Sequence, residues 1–432
     1  GLLYSAFTYY TGFRVNSGEY KLMGLAPYGD PKYTQIIEEN LIKICDDGSF
    51  SMNMKYFNYC QGLTMTNNRF HDLFGELPRK PESELTEFYM DVAASIQKVT
   101  EKIMLKIAAH AHDVTGSESL CLAGGVALNC VANGKILKEG PFKNVWIQPA
   151  AGDAGCAIGA AQFAWYQLLE NPRDVKKFDS QKGSYLGPEF NNEIIKKYLD
   201  SVDVKYMVTE SDQDLCGKVA KHLADQKVVG WFQGRMEFGP RALGGRSILG
   251  DARSLEMQST MNLKIKFRES FRPFAPSVLL EKAHENFEID ENVESPYMLL
   301  VTNINEEKKI NKVEDINEKK GFEKLKVNRS KLQAITHVDY SARVQTVDQN
   351  RNPLYYQLIK EFESLTGSSV IINTSFNVRG EPIVSTPEQA LNVFLYTDMD
   401  VLVLGNYILL KEEQVKTEKA EVEKHLSQFA LD

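Results

Sequence analysis

Several features that would define a function class are missing from this 432-residue chain. No apolar run approaches the roughly 20 residues that a membrane-spanning helix needs, so a membrane partner is not expected. The six cysteines (Cys45, Cys60, Cys121, Cys130, Cys156 and Cys216) form no C-x-x-C pair. They read as small core residues in a reducing, cytoplasmic compartment rather than a disulfide frame or zinc site. Histidine is scarce, at seven residues. The closest pair, His110 and His112, stands at i, i+2 and faces different sides of a helix, whereas helical metal ligands use i, i+3 or i, i+4. A basic excess is missing too: 50 Lys and Arg against 58 Asp and Glu leave a net charge of −8. That balance disfavours general nucleic-acid binding. The chain starts Gly-Leu-Leu-Tyr, with neither Met nor a signal-peptide pattern, and reads as a fragment of a longer protein.

What is present is the composition of a globular protein, 43% hydrophobic and 25% charged, long enough for two domains. The most informative stretch is 234–277. Its first half packs Arg235, Arg241 and Arg246 among Gly234, Gly239, Gly244 and Gly245, with Glu237 and Pro240 between them. Its second half adds Lys264, Lys266, Arg268 and Arg272 and closes on Pro273 and Pro276. Glycine lets the backbone approach a ligand, and the guanidinium fork matches phosphate oxygens two at a time. A solvated loop or RNA-binding tail has similar composition. Against that, Phe238, Leu243, Ile248, Leu249, Phe267, Phe271 and Phe274 interleave the charges, and the strand-like run 227–232 precedes them. A strand feeding a Gly/Arg loop suits a polyanion pocket for a nucleotide or an acyl phosphate.

Apolar residues at three- and four-residue steps predict a helix over 84–115, stopped by Gly116. A strand at 119–123 runs into Gly124-Gly125, then a helix over 127–139, a strand at 144–148, and a Gly152-Asp-Ala-Gly155 turn before a small-residue helix over 156–169. Strand, glycine turn and helix, twice over, is α/β architecture with ligand loops at strand ends. Apolar periodicity fades over 170–190, which places a boundary near 185. Strands are expected at 228–232, 297–302, 343–347, 369–373, 400–404 and 406–410, and a helix at 387–396 capped by Thr386. Residues 305–331, dense in Lys, Glu and Asn, read as a surface insertion, and the charged tail 416–432 as a solvated helix or frayed end.

Four constellations can carry chemistry. Two are the turns around Gly124, Gly125 and Asn129, with Asn133, and around Asp153 and Gly155; backbone N–H groups at helix starts can face an anion, and either turn can equally be only a cap. The third is Asn373-Thr-Ser-Phe-Asn-Val-Arg-Gly-Glu-Pro382, which crowds Asn373, Ser375 and Asn377 at a strand end beside Arg379. The fourth is His337-Val-Asp-Tyr-Ser-Ala-Arg343, in which Ser341 and Arg343 share a strand face.

Taken together, SGEYKLMGLAPYGDP (17–31), AGGVALNC (123–130), QPAAGDAGCAIGAA (148–161), GRMEFGPRALGGRSIL (234–249), FRPFAPS (271–277), HVDYSARVQTV (337–347) and NTSFNVRGEPIV (373–384) closely resemble the NodU/CmcH-type O-carbamoyltransferases. The resemblance implies an α/β chain in two units. Residues 1–185 would be the C-terminal part of an actin/hexokinase-like transferase domain, 186–415 a YrdC-like mixed α/β domain, and 416–432 a charged tail. It implies ATP and carbamoyl phosphate as co-substrates, carbamoyladenylate as the activated species, and a small-molecule or sugar hydroxyl as acceptor, with no nucleic acid favoured. By motif, Arg241, Lys266, Arg343 and Ser375 would hold carbamoyl phosphate and the ATP phosphates, Lys266 being preferred slightly over Lys264. Gly124, Gly125, Asn129, Gly155, Arg235, Arg246, Lys264, Arg272, Asn373 and Asn377 would bind nucleotide. Asp153 matches a metal-ligating aspartate for Fe, Mn or Mg. The chain departs from the family in having no H-x-x-x-H anywhere and no phosphate-loop half of the transferase domain. The alternatives kept open are a YrdC-like nucleotide- or RNA-binding module and a threonylcarbamoyl-AMP synthase.

Overall fold

The second half of the chain builds one large mixed sheet whose central strands are buried at every position. The structure, a computed structural model, describes all residues except 177, 311–315, 317 and 430–432. Parts of the expected insertion and tail therefore lie outside the described residues. The strands run β1 (Ile42–Ile44), β2 (Phe50–Met52), β3 (Ser119–Leu122), β4 (Asn144–Ile147), β5 (Met207–Val208), β6 (Val229–Phe232), β7 (Arg246–Asp251), β8 (Ala275–Leu279), β9 (Leu300–Asn303), β10 (Ser341–Val347), β11 (Val370–Ser375), β12 (Val401–Leu404) and β13 (Tyr407–Leu410). Nine of them form one sheet in the order β5-β13-β12-β6-β7-β11-β8-β10-β9. The β12/β6 and β10/β8 pairs are parallel and the remaining pairs antiparallel.

Alternation along β11 sends Ile371 and Ile372 to opposite faces, both fully buried. Ile371 joins Trp231, Leu249 and Val403 under the helices Asp212–Ala224 and Pro353–Thr366. Ile372 joins Phe232, Ile248 and Leu402 with Leu391 and Phe394 of the helix Pro387–Tyr396. That last helix starts with the expected Thr386 cap, completed by Gln389 as a capping box.

β7 and β8 were not expected from sequence, and each has a local reason. β7 opens on Arg246-Ser247 and ends on Gly250-Asp251, so its apolar core is only two residues long. β8 contains Pro276, which argues against a central strand. Pro276 pairs only with Ile372 of β11, because β10 joins β8 from Ser277 onward. The missing N–H therefore costs no ladder bond on that side.

The first half is mostly helical. Its long helix, Glu87–Thr115, ends at Gly116 in the left-handed conformation, as expected. The expected α/β repetition yields only a two-stranded parallel sheet, β3 with β4. The two halves share a core: Phe271 and Val338 are buried in the cluster built by Phe7, Tyr10 and Tyr28. Asn133 donates to the Leu299 carbonyl at 3.1 Å. A Cβ at Gly134 would fall 2.0 Å from the Val301 carbonyl oxygen, so only glycine lets the helix Cys130–Glu139 approach β9.

Two expectations change. The described part of 305–331 is anchored rather than a simple surface insertion, because a few residues outweigh its polar composition. Phe322 stacks on Phe271 and meets the Tyr28 ring edge-on, and the buried Arg329 donates to the carbonyls of Lys324, Leu325, Val327 and Thr336. All six cysteines are free thiols, but only Cys130 and Cys216 are buried. Cys45, Cys60, Cys121 and Cys156 are exposed and are not core residues.

Candidate functional site: a cationic cleft between the two halves

The polar strand ends converge. A cavity of about 560 Å³ opens between the first half, at Tyr20, Gln97, Glu101 and Lys135, and the large sheet. On the sheet side its walls carry Arg241, Arg268, Arg272, Arg343, Asn373, Ser375 and Asn377.

Arg241 rides on the long loop 233–245 that joins β6 to the neighbouring β7. The loop is folded around one buried carboxylate. Glu237 Oε1 accepts from the N–H groups of Leu243 at 2.6 Å, Gly245 at 2.7 Å and Arg246 at 3.3 Å. Gly244, at φ 106°, passes so close to the Tyr355 ring that a Cβ would fall 2.4 Å from it. Beneath the loop a chain of hydrogen bonds ties three strands together. Tyr355 Oη donates to Ser277 Oγ, Ser277 to Gln345 Oε1, Asn373 Nδ2 to the same oxygen, and Gln345 Nε2 to the Leu243 carbonyl. Glu237→Ala strips three buried N–H groups of their acceptor and is expected to cost about 2–4 kcal/mol, read by urea denaturation. A change below about 0.5 kcal/mol would mean that the loop is held by something else.

The cations are poorly compensated. The Nε atoms of Arg241 and Arg343 are buried and have no hydrogen-bond partner. Burial, with Arg343 next, pulls the Arg241 guanidinium down to about 9. Burial and the neighbouring Arg272 hold Arg268 well below the ordinary arginine range. Arg268 Nε donates to Asn262 Oδ1 at 2.6 Å and its plane lies over Phe274. Arg272 lies over the Tyr20 ring, with Glu269 at 3.8 Å. Several guanidiniums facing one cleft repel each other unless an anion neutralises them.

Lys266 is part of this region but stands behind the wall. Its Nζ donates to the Ser375 carbonyl at 2.7 Å, the Asn377 carbonyl at 2.8 Å and Asn377 Oδ1 at 2.6 Å, and lies 3.3 Å from Ser375 Oγ. Burial and the charges of Arg268 and Arg272 lower its pKa well below the usual lysine value. It clamps the strand end that carries Ser375 and Asn377.

The other sequence-derived site residues lie elsewhere. Lys264 is exposed on the outside. Arg235 pairs with the Gly187 carbonyl and Glu189. Arg246 is fully buried, 3.5 Å over the Phe232 ring, and donates to the carbonyls of Gln233, Gly234, Gly245 and Pro188. It is a structural cation, because strand alternation turns it away from the cleft. Asn129 caps the helix Cys130–Glu139 and exchanges two amide hydrogen bonds with Gln97, so it positions a wall residue. Gly155 is required by packing, since a Cβ there would fall 2.1 Å from the Ala150 carbonyl oxygen. Gly124, Gly125 and Asp153 are exposed at the C-terminal ends of β3 and β4. No group of three or more His, Cys, Asp or Glu side chains among the described residues could hold a metal ion. Asp153 alone does not make a site for Fe, Mn or Mg. Arg268 stood in the basic run of the sequence without being singled out. Gln345, which orders the floor of the cleft, carried no local signal at all.

A mixed α/β fold with a cleft of clustered, poorly compensated guanidiniums and short hydroxyl and amide side chains has the chemistry of an anion site. Comparison with known proteins then gives the family. The carbamoyltransferase N-terminus family matches residues 1–162 and the carbamoyltransferase C-terminus family residues 220–411. The chain belongs to the carbamoyltransferase family. It is 60% identical, over its whole length, to the uncharacterized protein sll1178 of Synechocystis sp., of which it covers 70%. It is 38% identical to nodulation protein NolNO of Sinorhizobium fredii, over 95% of this chain and 55% of that protein. It is 37% identical to nodulation protein NolO of Bradyrhizobium diazoefficiens, over 91% of this chain and 66% of that protein. The chain thus spans between about half and seven-tenths of these relatives. A solved structure of full-length HypF aligns with a TM-score of 0.29 and 20% identity over 55% of this chain and 30% of that one, too little to bear on the fold.

Proposed function

We propose that the cleft activates a carbamoyl group with ATP. Carbamoyl phosphate is hydrolysed to carbamate and inorganic phosphate; a carbamate oxygen then attacks the α-phosphorus of ATP, forming carbamoyladenylate and expelling pyrophosphate. The whole protein would pass the carbamoyl group to a hydroxyl of a small molecule or sugar. In this reading residues 186–415 are a YrdC-like unit and 1–185 part of an actin/hexokinase-like unit.

The observation that carries the proposal is the pair Arg241 and Arg343, buried at Nε without partners on the wall of a cleft in a carbamoyltransferase. Both substrates are polyanions, and the transfer spreads further negative charge over the α-phosphoryl oxygens. Fixed guanidiniums stabilise that charge with no reorganisation at the moment of reaction. Arg268 and Arg272 extend the cationic wall, and Ser375 and Asn377 offer uncharged donors without bulk. The test is pyrophosphate release by the purified chain. It is expected only when ATP and carbamoyl phosphate are both present; release at the level of either substrate alone would overturn the assignment.

A further inference from the structure

The floor of the cleft holds a side-chain carbonyl oxygen with nothing to accept. Asn373 lines the cavity, is 1% exposed, and its Oδ1 has no hydrogen-bond partner. Buried acceptors are rarely left without a donor, so the orientation of this amide matters. Its Nδ2 faces two oxygens, the Ala242 carbonyl at 3.1 Å and Gln345 Oε1 at 2.7 Å. Gln345 is itself fixed, because its Oε1 accepts from Ser277 Oγ at 2.6 Å and its Nε2 donates to the Leu243 carbonyl at 2.8 Å. A turned-over Asn373 would set its oxygen against two acceptors. The network therefore commits Nδ2 to the protein and leaves Oδ1 for something else.

Its place in the sheet narrows what that is. Asn373 is paired with Leu249 of β7 on one side and Ala275 of β8 on the other, so its backbone is held from both edges. Ala242, which accepts from Asn373, follows Arg241, and Gln345 stands two residues beyond Arg343 on β10. The unfilled acceptor is thus bonded to the segments that carry the two guanidiniums with unpartnered Nε atoms, and all three side chains line one cavity. Beside them the lining is the short Ala242 and Ala275. Guanidiniums only donate, so they hold phosphoryl oxygens but cannot meet an N–H. A ligand that satisfies all three side chains carries a phosphoryl group and, joined directly to it, a small group with an N–H donor. The amino group of adenine does not fit this description, because it lies at the far end of its nucleotide from the phosphates.

We propose that Asn373 Oδ1 accepts from the –NH2 of the carbamoyl group and distinguishes carbamoyl phosphate from acyl phosphates that lack an amide. The inference rests on the carbamoyl-activating reading of the cleft, and within it gives Asn373 this role in place of nucleotide binding. A methyl group where the –NH2 belongs leaves Oδ1 buried and unpaired, and a carboxylate oxygen sets lone pair against lone pair. A site built to bond an N–H rejects the analogue without it more strongly than an apolar pocket rejects one of the wrong size.

The test is calorimetric titration of the purified chain with two phosphonates, phosphonoacetamide and acetonylphosphonate. Each has CH2 in place of the bridging oxygen of carbamoyl phosphate, so neither is hydrolysed, and they differ only as –NH2 against –CH3. Phosphonoacetamide is expected to bind at least about tenfold more tightly. Equal affinities would overturn the proposal and leave Oδ1 to a water molecule, with the carbamoyl reading of the cleft intact. No binding of either phosphonate would overturn both. Asn373→Leu is expected to bring the two affinities together by weakening phosphonoacetamide alone. A merely structural asparagine would weaken both alike, and that outcome overturns the assignment. Should Asn373→Leu fail to fold, the phosphonate pair in the unaltered chain decides by itself.

Discussion

Arg241→Ala is expected to lower the rate of carbamoyl-phosphate-dependent pyrophosphate release by about 10²–10³-fold while leaving Tm unchanged or slightly raised. The two halves of that result have separate causes. The rate falls because a fixed guanidinium aimed at developing phosphoryl charge is lost, and a water molecule in its place must reorient as the charge moves. Stability does not fall because the side chain has no hydrogen bond to lose at its buried Nε and is repelled by Arg343. An uncompensated cation held down to about 9 by burial and a like-charged neighbour costs folding free energy instead of supplying it. Arg241→Lys keeps the charge but not the two-pronged geometry, and should recover only part of the rate. Inorganic phosphate or pyrophosphate should raise the Tm of the unaltered protein by binding the folded state, and by less in Arg241→Ala. The decisive comparison is activity against Tm in one preparation. An Arg241→Ala protein that melts several degrees lower would make the arginine a structural residue like Arg246, and a fully active one would remove it from the site.

How far the sequence could be read divides along a physical line. Local chemistry was legible: the Gly/Arg loop, the Asn373–Asn377 strand end and the Ser341/Arg343 face all converge on one cleft. Ser341 and Arg343 are legible as a pair because alternation is a local rule, and the strand obeys it, with Ala342 and Val344 buried between and beyond them. Which arginine of a run points where was not legible. Arg241 and Arg246 stand in the same motif, yet the hydrogen bonds around Glu237 turn one into the cleft and the strand beyond turns the other onto Phe232. The turns at Gly124 and Asp153 were legible as turns, but their distance from the arginine cleft depends on how the halves pack. β7 and β8 stayed hidden because Ser247, Asp251 and Pro276 mask strands whose stability comes from the sheet around them. Composition misjudged 305–331, where Phe322 and Arg329 decide the packing of the described part.

Lys266 carries the second large effect, and of the opposite kind. Lys266→Met keeps most of the aliphatic volume but deletes a buried ammonium that binds two main-chain carbonyls and Asn377 Oδ1. Those acceptors come from the end of β11 and the turn after it, and with Ser375 Oγ already donating to Asn377 Oδ1 they have few other donors in reach. Hydrogen bonds to a charged group are worth about 1.5–3 kcal/mol each, but the relief of burying Lys266 beside Arg268 and Arg272 offsets part of the loss. A net destabilisation of about 2–4 kcal/mol follows, visible as an earlier urea midpoint. Activity should fall as well, through a raised KM, because Ser375 and Asn377 lose their orientation. Here activity and stability move together, whereas in Arg241→Ala they separate. The pH dependence has a definite sign. The lysine's folded-state pKa lies below its unfolded value, so above that lowered pKa the unfolded chain binds the extra proton. The Lys266 contribution to ΔG of unfolding therefore rises as the pH increases from the folded pKa toward the ordinary lysine value. In Lys266→Met that component disappears. A Lys266→Met protein with unchanged urea midpoint would show that the Ser375–Asn377 strand end holds its shape without the clamp, and would return Lys266 to the role of a direct phosphate ligand.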